Sequence, residues 1–131
     1  MCVSSQPKHL STQPPGSFHR GIEEFNERRF FEAHEVWEEL WLASAEPDKT
    51  FLQGIIQIAA AFHHHLRDNN RGACSLLQAG LHRVTPFPAD HFGIDLELLR
   101  SQSVAWVAAL TSGNSTSHAL PIPQIVPAPR R

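Results

Sequence analysis

One short stretch, residues 30–41 with the sequence FFEAHEVWEELW, combines a histidine with four glutamates between aromatic residues. His34 and Glu38 are four positions apart, so a helix would place them on the same face, one turn from each other. An imidazole and a carboxylate in that arrangement can bind a divalent cation, and Glu35 beside them can act as a general base on a bound water. The stretch therefore contains the beginnings of a metal-dependent hydrolytic site.

The same residues also fit a structural interpretation, which we favour. The pattern His34-Glu35-x-x-Glu38 lacks the second histidine of the zinc-protease pattern His-Glu-x-x-His, and no third ligand is evident downstream. The imidazole can instead hydrogen-bond Glu38 while the other glutamates pair with arginines. We therefore expect no cofactor and assign no enzymatic activity. A divalent metal on His34 and Glu38, with Glu35 as catalytic base, is the alternative.

A second polar stripe, on a later helix, is the predicted partner of this one. Gln53, Gln57 and His64 recur at offsets of four and eleven residues and share a helix face. If the two faces meet, they form a half-buried polar cluster that binds a ligand or fixes the packing. The predicted cluster consists of Glu32, His34, Glu35, Glu38, Trp41, Gln53, Gln57 and His64.

The run of three histidines, His63, His64 and His65, is less suited to one ion than its composition indicates. Successive helical residues point about 100° apart, so a single metal cannot take all three. We expect one imidazole to be packed and the others to lie at the rim. The sequence does not decide which of the three faces the interior.

Composition argues against several classes of function. Eleven Lys and Arg against thirteen Asp and Glu leave a net charge of -2, too small to gather nucleic acid. No apolar run is long enough to span a bilayer or to form a signal peptide core, so we expect no membrane partner. Cys2 and Cys74 form neither a disulfide framework nor a CxxC motif, which favours a cytoplasmic setting. Cys74 is expected to be an inert packed thiol.

The elements that carry these residues are predicted to be helical throughout. Apolar residues recur at helical spacing, with no hairpin signal between alternating strands, which indicates an all-α bundle. The third helix is apolar on most of its circumference and should be the central one, where Gly54 lets a neighbour approach closely. The three tryptophans are expected to be core anchors. The predicted helices cover residues 17–27, 30–44, 47–67, 70–84 and 95–110.

Proline-rich ends flank this domain. Residues 1–16 and 111–131 are predicted to be flexible arms, and residues 17–110 the helical domain. Four aliphatic residues in the C-terminal arm would allow part of it to dock on its own domain or on a neighbouring copy: Leu120, Ile122, Ile125 and Val126. The favoured function is a binding or scaffold module for an unidentified protein or small molecule. A metal-dependent hydrolase and a homo-oligomerisation module are the alternatives.

The chain contains the segments GIEEFNERRFFEAHEVWEELW, then FLQGIIQIAAAFHHHLRDNNRGACSLLQAGLHRV, then GIDLELL. Together these segments resemble the domain-of-unknown-function family 309, small helical proteins of bacteria and plastids. The resemblance covers about residues 21–99 and includes the closing segment GIDLELL. It implies an all-α fold and adds weight to a shared site on the second and third helices, but it implies no activity. The matching residues are Phe31, Glu32, Ala33, His34, Glu35, Glu38 and Trp41, then Phe51, Leu52, Gln53, Gly54 and Gln57, then Gly72 and Ala73.

Overall fold

A computed structural model describes residues 15–112 and 120–130 and confirms the all-α bundle. Each helix boundary lies within two residues of its predicted position. In that part of the chain, a single 3₁₀ turn at His91–Gly93 precedes the last helix. The five helices are α1 Gly16–Asn26, α2 Phe30–Leu42, α3 Asp48–Leu66, α4 Asn70–Val84 and α5 Leu96–Ser112. None of the described helices is both long and apolar enough to cross a membrane.

The third helix, α3, is the central element, as predicted. It packs against α2 on one side and α4 on the other, while α1 packs on α2 and α5 on α4. Its residues Phe51, Leu52, Ile55 and Ile58 are fully buried. Its apolar surface is not wholly covered: Ile56 is half-buried, and Leu66 is 49% exposed because α3 ends there.

Two close helix contacts depend on glycine. A β-carbon on Gly54 would lie 2.9 Å from the carbonyl oxygen of Gly80, and one on Gly80 would lie 2.6 Å from that of Gly54. The close approach of α3 and α4 predicted from Gly54 is therefore confirmed. Gly21 in α1 has the indole of Trp37 directly against it. That indole donates a hydrogen bond of 3.1 Å to the Phe18 carbonyl, which joins α2 to α1.

Aromatic rings fill the space where α1, α2, α3 and α5 meet. Phe25 contacts Phe30 edge to face at 4.9 Å between ring centroids, and Phe62 contacts Trp106 at 5.4 Å. Trp37 and Trp106 are buried core anchors as predicted. Trp41 differs, because it is only half-buried and the Lys49 ammonium lies 4.0 Å from its ring centroid.

The segment 120–130 lies against the domain. The docking on its own domain that the aliphatic residues of this arm allow is present: Ile125 is 3% exposed and packs into the core. Asn26 in α1 bonds the Ile125 backbone. The loop that also contacts this segment contains Phe92 at φ 58° and Gly93 at φ 76°. Phe92 is held in the left-handed region, unusual for a large residue, by burial of its ring against Phe18 at 5.0 Å. Of the predicted N-terminal arm, residues 1–16, Gly16 already begins α1. Residues 1–14 lie outside the described residues, as do residues 113–119 and 131.

Candidate functional site

The side chains of α2 lie on three faces: a buried face, a face with His34 and Glu38, and a face with the other glutamates. Ala33 and Trp37 point into the core and are fully buried. His34 and Glu38 share a second face, where His34 Nε2 lies 3.9 Å from Glu38 Oε1. That distance is too long for a hydrogen bond but allows a loose ion pair when the imidazole is protonated. The hydrogen bond predicted between His34 and Glu38 is therefore not formed.

Next to His34, the N-terminal part of α2 and the C-terminal part of α3 enclose a recess of about 130 Å³. The Phe31 ring lies 5.6 Å from the His34 ring and 5.5 Å from the His63 ring, and the rings of His63 and His64 are 5.8 Å apart. We call this the imidazole recess. It is lined by Phe30, Phe31, His34, Ala60, His63 and His64.

The orientation of His64 is fixed from outside the recess by Asn69. The Asn69 side-chain oxygen accepts a hydrogen bond of 3.1 Å from the Gly72 amide and caps α4. The Asn69 amide nitrogen must then point the other way, where it lies 3.1 Å from His64 Nδ1. Since an amide N–H can only donate, His64 Nδ1 accepts, and the proton of the neutral ring is on Nε2. The helix cap therefore selects the tautomer of a recess residue.

His63 is a partly buried imidazole of the recess. Burial lowers its pKa below the ordinary value, and repulsion by Arg67, and by His64 and His34 in their protonated forms, lowers it further. Only Glu32 opposes this effect. At neutral pH the His63 ring is therefore uncharged and offers one N–H donor and one nitrogen acceptor. Its neighbour His65 lies elsewhere, 4.8 Å from the Trp106 ring.

The glutamates of α2 do not join this recess. Glu32, Glu35 and Glu39 line a different surface together with Arg20 and Glu24 of α1. All four glutamates of α2 are exposed, so the expectation that some are half-buried is wrong. The reason is that α2 buries the face of Ala33 and Trp37, and the glutamates extend into solvent beyond it. Glu35, the predicted base, thus lies on a different surface from the His34 recess.

The remaining residues of the predicted cluster are half-buried; these are Trp41, Gln53 and Gln57. In Gln57 the side-chain oxygen is buried with no hydrogen-bond partner among the described residues, and the same holds for Trp41 Nε1 and His34 Nδ1. Lys49 donates to the Trp41 carbonyl at 3.0 Å. For Gln53, the structure gives no link to the recess. Of the predicted cluster, then, only His34 and His64 line the imidazole recess.

Two other predictions concern metals and thiols. Among residues 15–112 and 120–130, no three His, Cys, Asp or Glu side chains are grouped so that they can hold a metal ion. Cys74 is a half-buried free thiol whose sulfur lies 3.5 Å from Thr111 Oγ1, an arrangement that suits packing.

Four residues of the recess were not in the predicted site: Phe30, Phe31, Ala60 and His63. The helical spacing contained the signal for them. Phe31 precedes His34 by three residues, and Ala60 precedes His63 and His64 by three and four, the spacings at which helical side chains meet. What the sequence could not supply is which turn of α3 lies opposite His34.

Residues 18–76 match the family model described as Domain of unknown function (DUF309), which confirms the resemblance inferred from the sequence. YpuF of Bacillus subtilis strain 168, described as an uncharacterized protein, is 39% identical over 82 residues, which cover 56% of this chain and 47% of YpuF. This chain therefore spans about half the length of that curated relative. Every residue of the imidazole recess lies within the segment that matches the family model.

Proposed function

We propose a function from the recess itself, since the family model matched by residues 18–76 carries no assigned activity: the chain is a binding module for a small, single-ring molecule that carries a carboxylate. The observation that supports this proposal is the convergence of three imidazoles, from two helices, on one half-enclosed recess beside Phe31. We further propose a cytoplasmic setting, in keeping with the free thiol of Cys74.

The size and lining of the recess set the class of ligand. Its volume of about 130 Å³ is close to the roughly 150 Å³ of an engineered apolar cavity that accepts benzene. Phe30, Phe31 and Ala60 supply apolar contact for one ring. A larger, multi-ring ligand would extend into solvent.

The imidazoles set the polar group of the ligand. The Nε2–H of His64 is held as a donor by the Asn69 contact, and His63 keeps a donor in its neutral form. A carboxylate accepts from both and also offsets the positive charge of Arg67 near His63. Anion binding raises the pKa of the imidazoles that contact it, so affinity should increase as the pH falls from about 7.5 towards 6.

The test is a titration followed through the ring nitrogen signals of the histidines in long-range ¹H–¹⁵N spectra. Benzoate serves as the probe, with acetate as the anion without a ring and benzyl alcohol as the ring without a charge. We expect saturable shifts of the His34, His63 and His64 signals with benzoate, in the millimolar range, and weaker effects with either control compound.

Two variants locate the binding. His63→Ala should abolish the benzoate response, whereas His82→Ala, on the exposed surface of α4, should leave it unchanged. If benzoate gives no saturable shift of the recess signals, or if His63→Ala binds as well as the parent protein, the proposal is wrong.

A further inference from the structure

A second groove, formed by the end of α1, the loop before α5 and α5 itself, holds the segment 120–130. Trp106 in α5 donates its indole N–H to the Pro121 carbonyl at 2.9 Å. At the other end, Ile94 and Pro127 form an antiparallel bridge. We call this segment the arm and its site the arm groove. Apart from Asn26, the bonding groups of the groove lie beyond the segment that matches the family model.

Asn26 binds the arm through its backbone. Its side-chain oxygen accepts the Ile125 amide at 2.8 Å, and its side-chain nitrogen donates to the Ile125 carbonyl at 2.9 Å. A carboxamide carries the same donor and acceptor pair as a peptide unit, so this contact resembles one step of strand pairing. It recognises an extended main chain and does not depend on the side chain at that position.

The loop before α5 adds two further main-chain bonds. The Asp95 amide donates to the Val126 carbonyl at 2.8 Å, and the Ala128 amide donates to the Gly93 carbonyl at 2.9 Å. This is the way a sheet edge receives an added peptide strand, in which main-chain bonds provide affinity and alternate side chains provide specificity.

The side chains of the arm show the pattern that the groove accepts. Pro123 and Ile125 are buried, whereas Gln124 between them is exposed. The amides that donate belong to Ile125 and Ala128, so prolines two residues before and after Ile125 cost no hydrogen bond. Prolines also reduce the entropy that an extended peptide loses on binding. The pattern that fits is therefore Pro-x-Ile-x-Pro.

We propose that the arm groove is a binding site for extended protein segments of this pattern, and that the chain's own arm is an exchangeable occupant. The partner is an unfolded segment with one aliphatic residue between two prolines. Because seven residues connect α5 to the arm, the tethered arm has a high effective concentration, of millimolar order. A partner segment must therefore bind the groove more tightly than the arm does, or bind at a time when the arm has already left the groove.

The experiment separates the arm from the domain without removing it. A protease site is inserted within residues 113–119, the protein is cleaved, and an isotope-labelled synthetic peptide of residues 120–131 is added in excess. Size-exclusion chromatography removes free peptide, and mass spectrometry measures how much labelled peptide has replaced the original. We expect the cleaved arm to co-elute with the domain and the labelled peptide to replace it, while circular dichroism shows unchanged helicity.

Matched peptides and one domain variant make the result specific. A peptide with Ile125→Ser should exchange at least about tenfold less effectively, because it loses the buried aliphatic side chain. A peptide with Arg130→Ala, changed at an exposed position, should exchange as the parent does. Asn26→Ala in the domain should weaken retention of every peptide, whatever its sequence.

Two outcomes overturn the proposal. If the domain loses its helicity once the cleaved arm separates, the arm is an integral part of the fold. If the domain stays folded but does not take up the labelled peptide, the groove is no peptide site. Exchange of arms between labelled and unlabelled uncleaved copies would support the site and identify a second copy of the chain as its partner.

Discussion

The imidazole recess and the arm groove present different kinds of groups. The recess presents side-chain groups, with three imidazoles beside a phenylalanine, and lies wholly within the segment that matches the family model. The groove combines two main-chain groups of the loop before α5 with the Asn26 carboxamide and the Trp106 indole, which bond the main chain of the arm, and most of it lies outside that segment. A site of the first kind is specific for chemical groups, whereas a site of the second kind is specific for an extended backbone.

The substitution with the largest expected effect destabilises the imidazole recess and the arm groove together. Gly21→Ala would place a methyl group in the Trp37 indole and force apart α1, which carries Asn26, and α2, which carries His34. We expect a loss of about 3 kcal/mol in the free energy of unfolding, at the upper end for an overpacked core. Urea unfolding followed by circular dichroism measures it.

The matched control lies in the same helix. A β-carbon on Gly16 meets no atom within 4 Å, so Gly16→Ala should leave stability unchanged or raise it slightly. Equal losses in the two variants would mean that the Gly21 contact with Trp37 is not what holds α1 to α2.

A smaller effect should be confined to the groove. Ile125→Ala removes a side chain that is 3% exposed, and we expect a loss of about 2 kcal/mol, the low end for aliphatic truncation. The histidine ring signals of the recess should not move. Ile122→Ala, at a half-buried position of the same arm, should cost less. Movement of the His63 signals in the Ile125 variant would show that the two regions are coupled.

The third prediction concerns the recess alone and is smaller again. Asn69→Ala should cost about 1 kcal/mol, because it removes the cap of α4. Asn69→Asp keeps the acceptor for the Gly72 amide but loses the donor to His64. The cap should therefore survive, while the His64 proton moves to Nδ1, where the ring can donate to the carboxylate that replaces the amide. Ring ¹⁵N shifts report the tautomer; an unchanged His64 in the Asp variant would contradict this account.

The smallest effect is a dependence on pH that both regions share. His63 lines the recess, and His91 immediately precedes the loop residues that meet the arm. Burial lowers the pKa of both below the ordinary value of 6.5; for His91, the nearby carboxylates of Asp48 and Asp90 only partly oppose it. The unfolded chain therefore binds protons more readily than the folded one as the pH falls through 6.5.

The sign follows directly. Above about pH 7.5 both rings are neutral in the folded and the unfolded state, so they contribute nothing to the pH dependence of stability. As the pH decreases from about 7.5 to about 5.5, the free energy of unfolding should fall, until the pH passes the lowered pKa values. Thermal unfolding at several pH values measures the slope. His63→Gln and His91→Gln should each make it shallower, and a slope unaffected by either would exclude these histidines as its cause.

Much of the fold could be predicted from the sequence, because its signals are local. Asn69 before α4 and Asp95 before α5 mark the starts of those helices, and both side chains accept a backbone amide there. Gly54 indicated a close crossing with a neighbour, which proved to be α4 at Gly80. Such features depend on residues only a few positions apart or on one residue type.

The sites were harder to predict, because they depend on register between distant segments. The sequence placed His34 and Glu35 in one predicted site, whereas they lie on different surfaces. Only the packing of α3 shows that His63 lies opposite Phe31. The contact of Asn26 with Ile125 joins positions 99 residues apart and involves the backbone of Ile125, so no pattern of side chains in the sequence predicts it.

Trp106 connects the arm to the core in a way that can be observed. Its ring packs against Phe62 and His65, while its indole N–H bonds the Pro121 carbonyl of the arm. Indole emission shifts when that N–H exchanges a protein acceptor for water, and protonated histidine quenches it on contact. The unmodified protein thus carries an intrinsic fluorescent reporter of arm occupancy, while Trp37, bonded to Phe18 in the core, and Trp41, beside Lys49, provide the background emission.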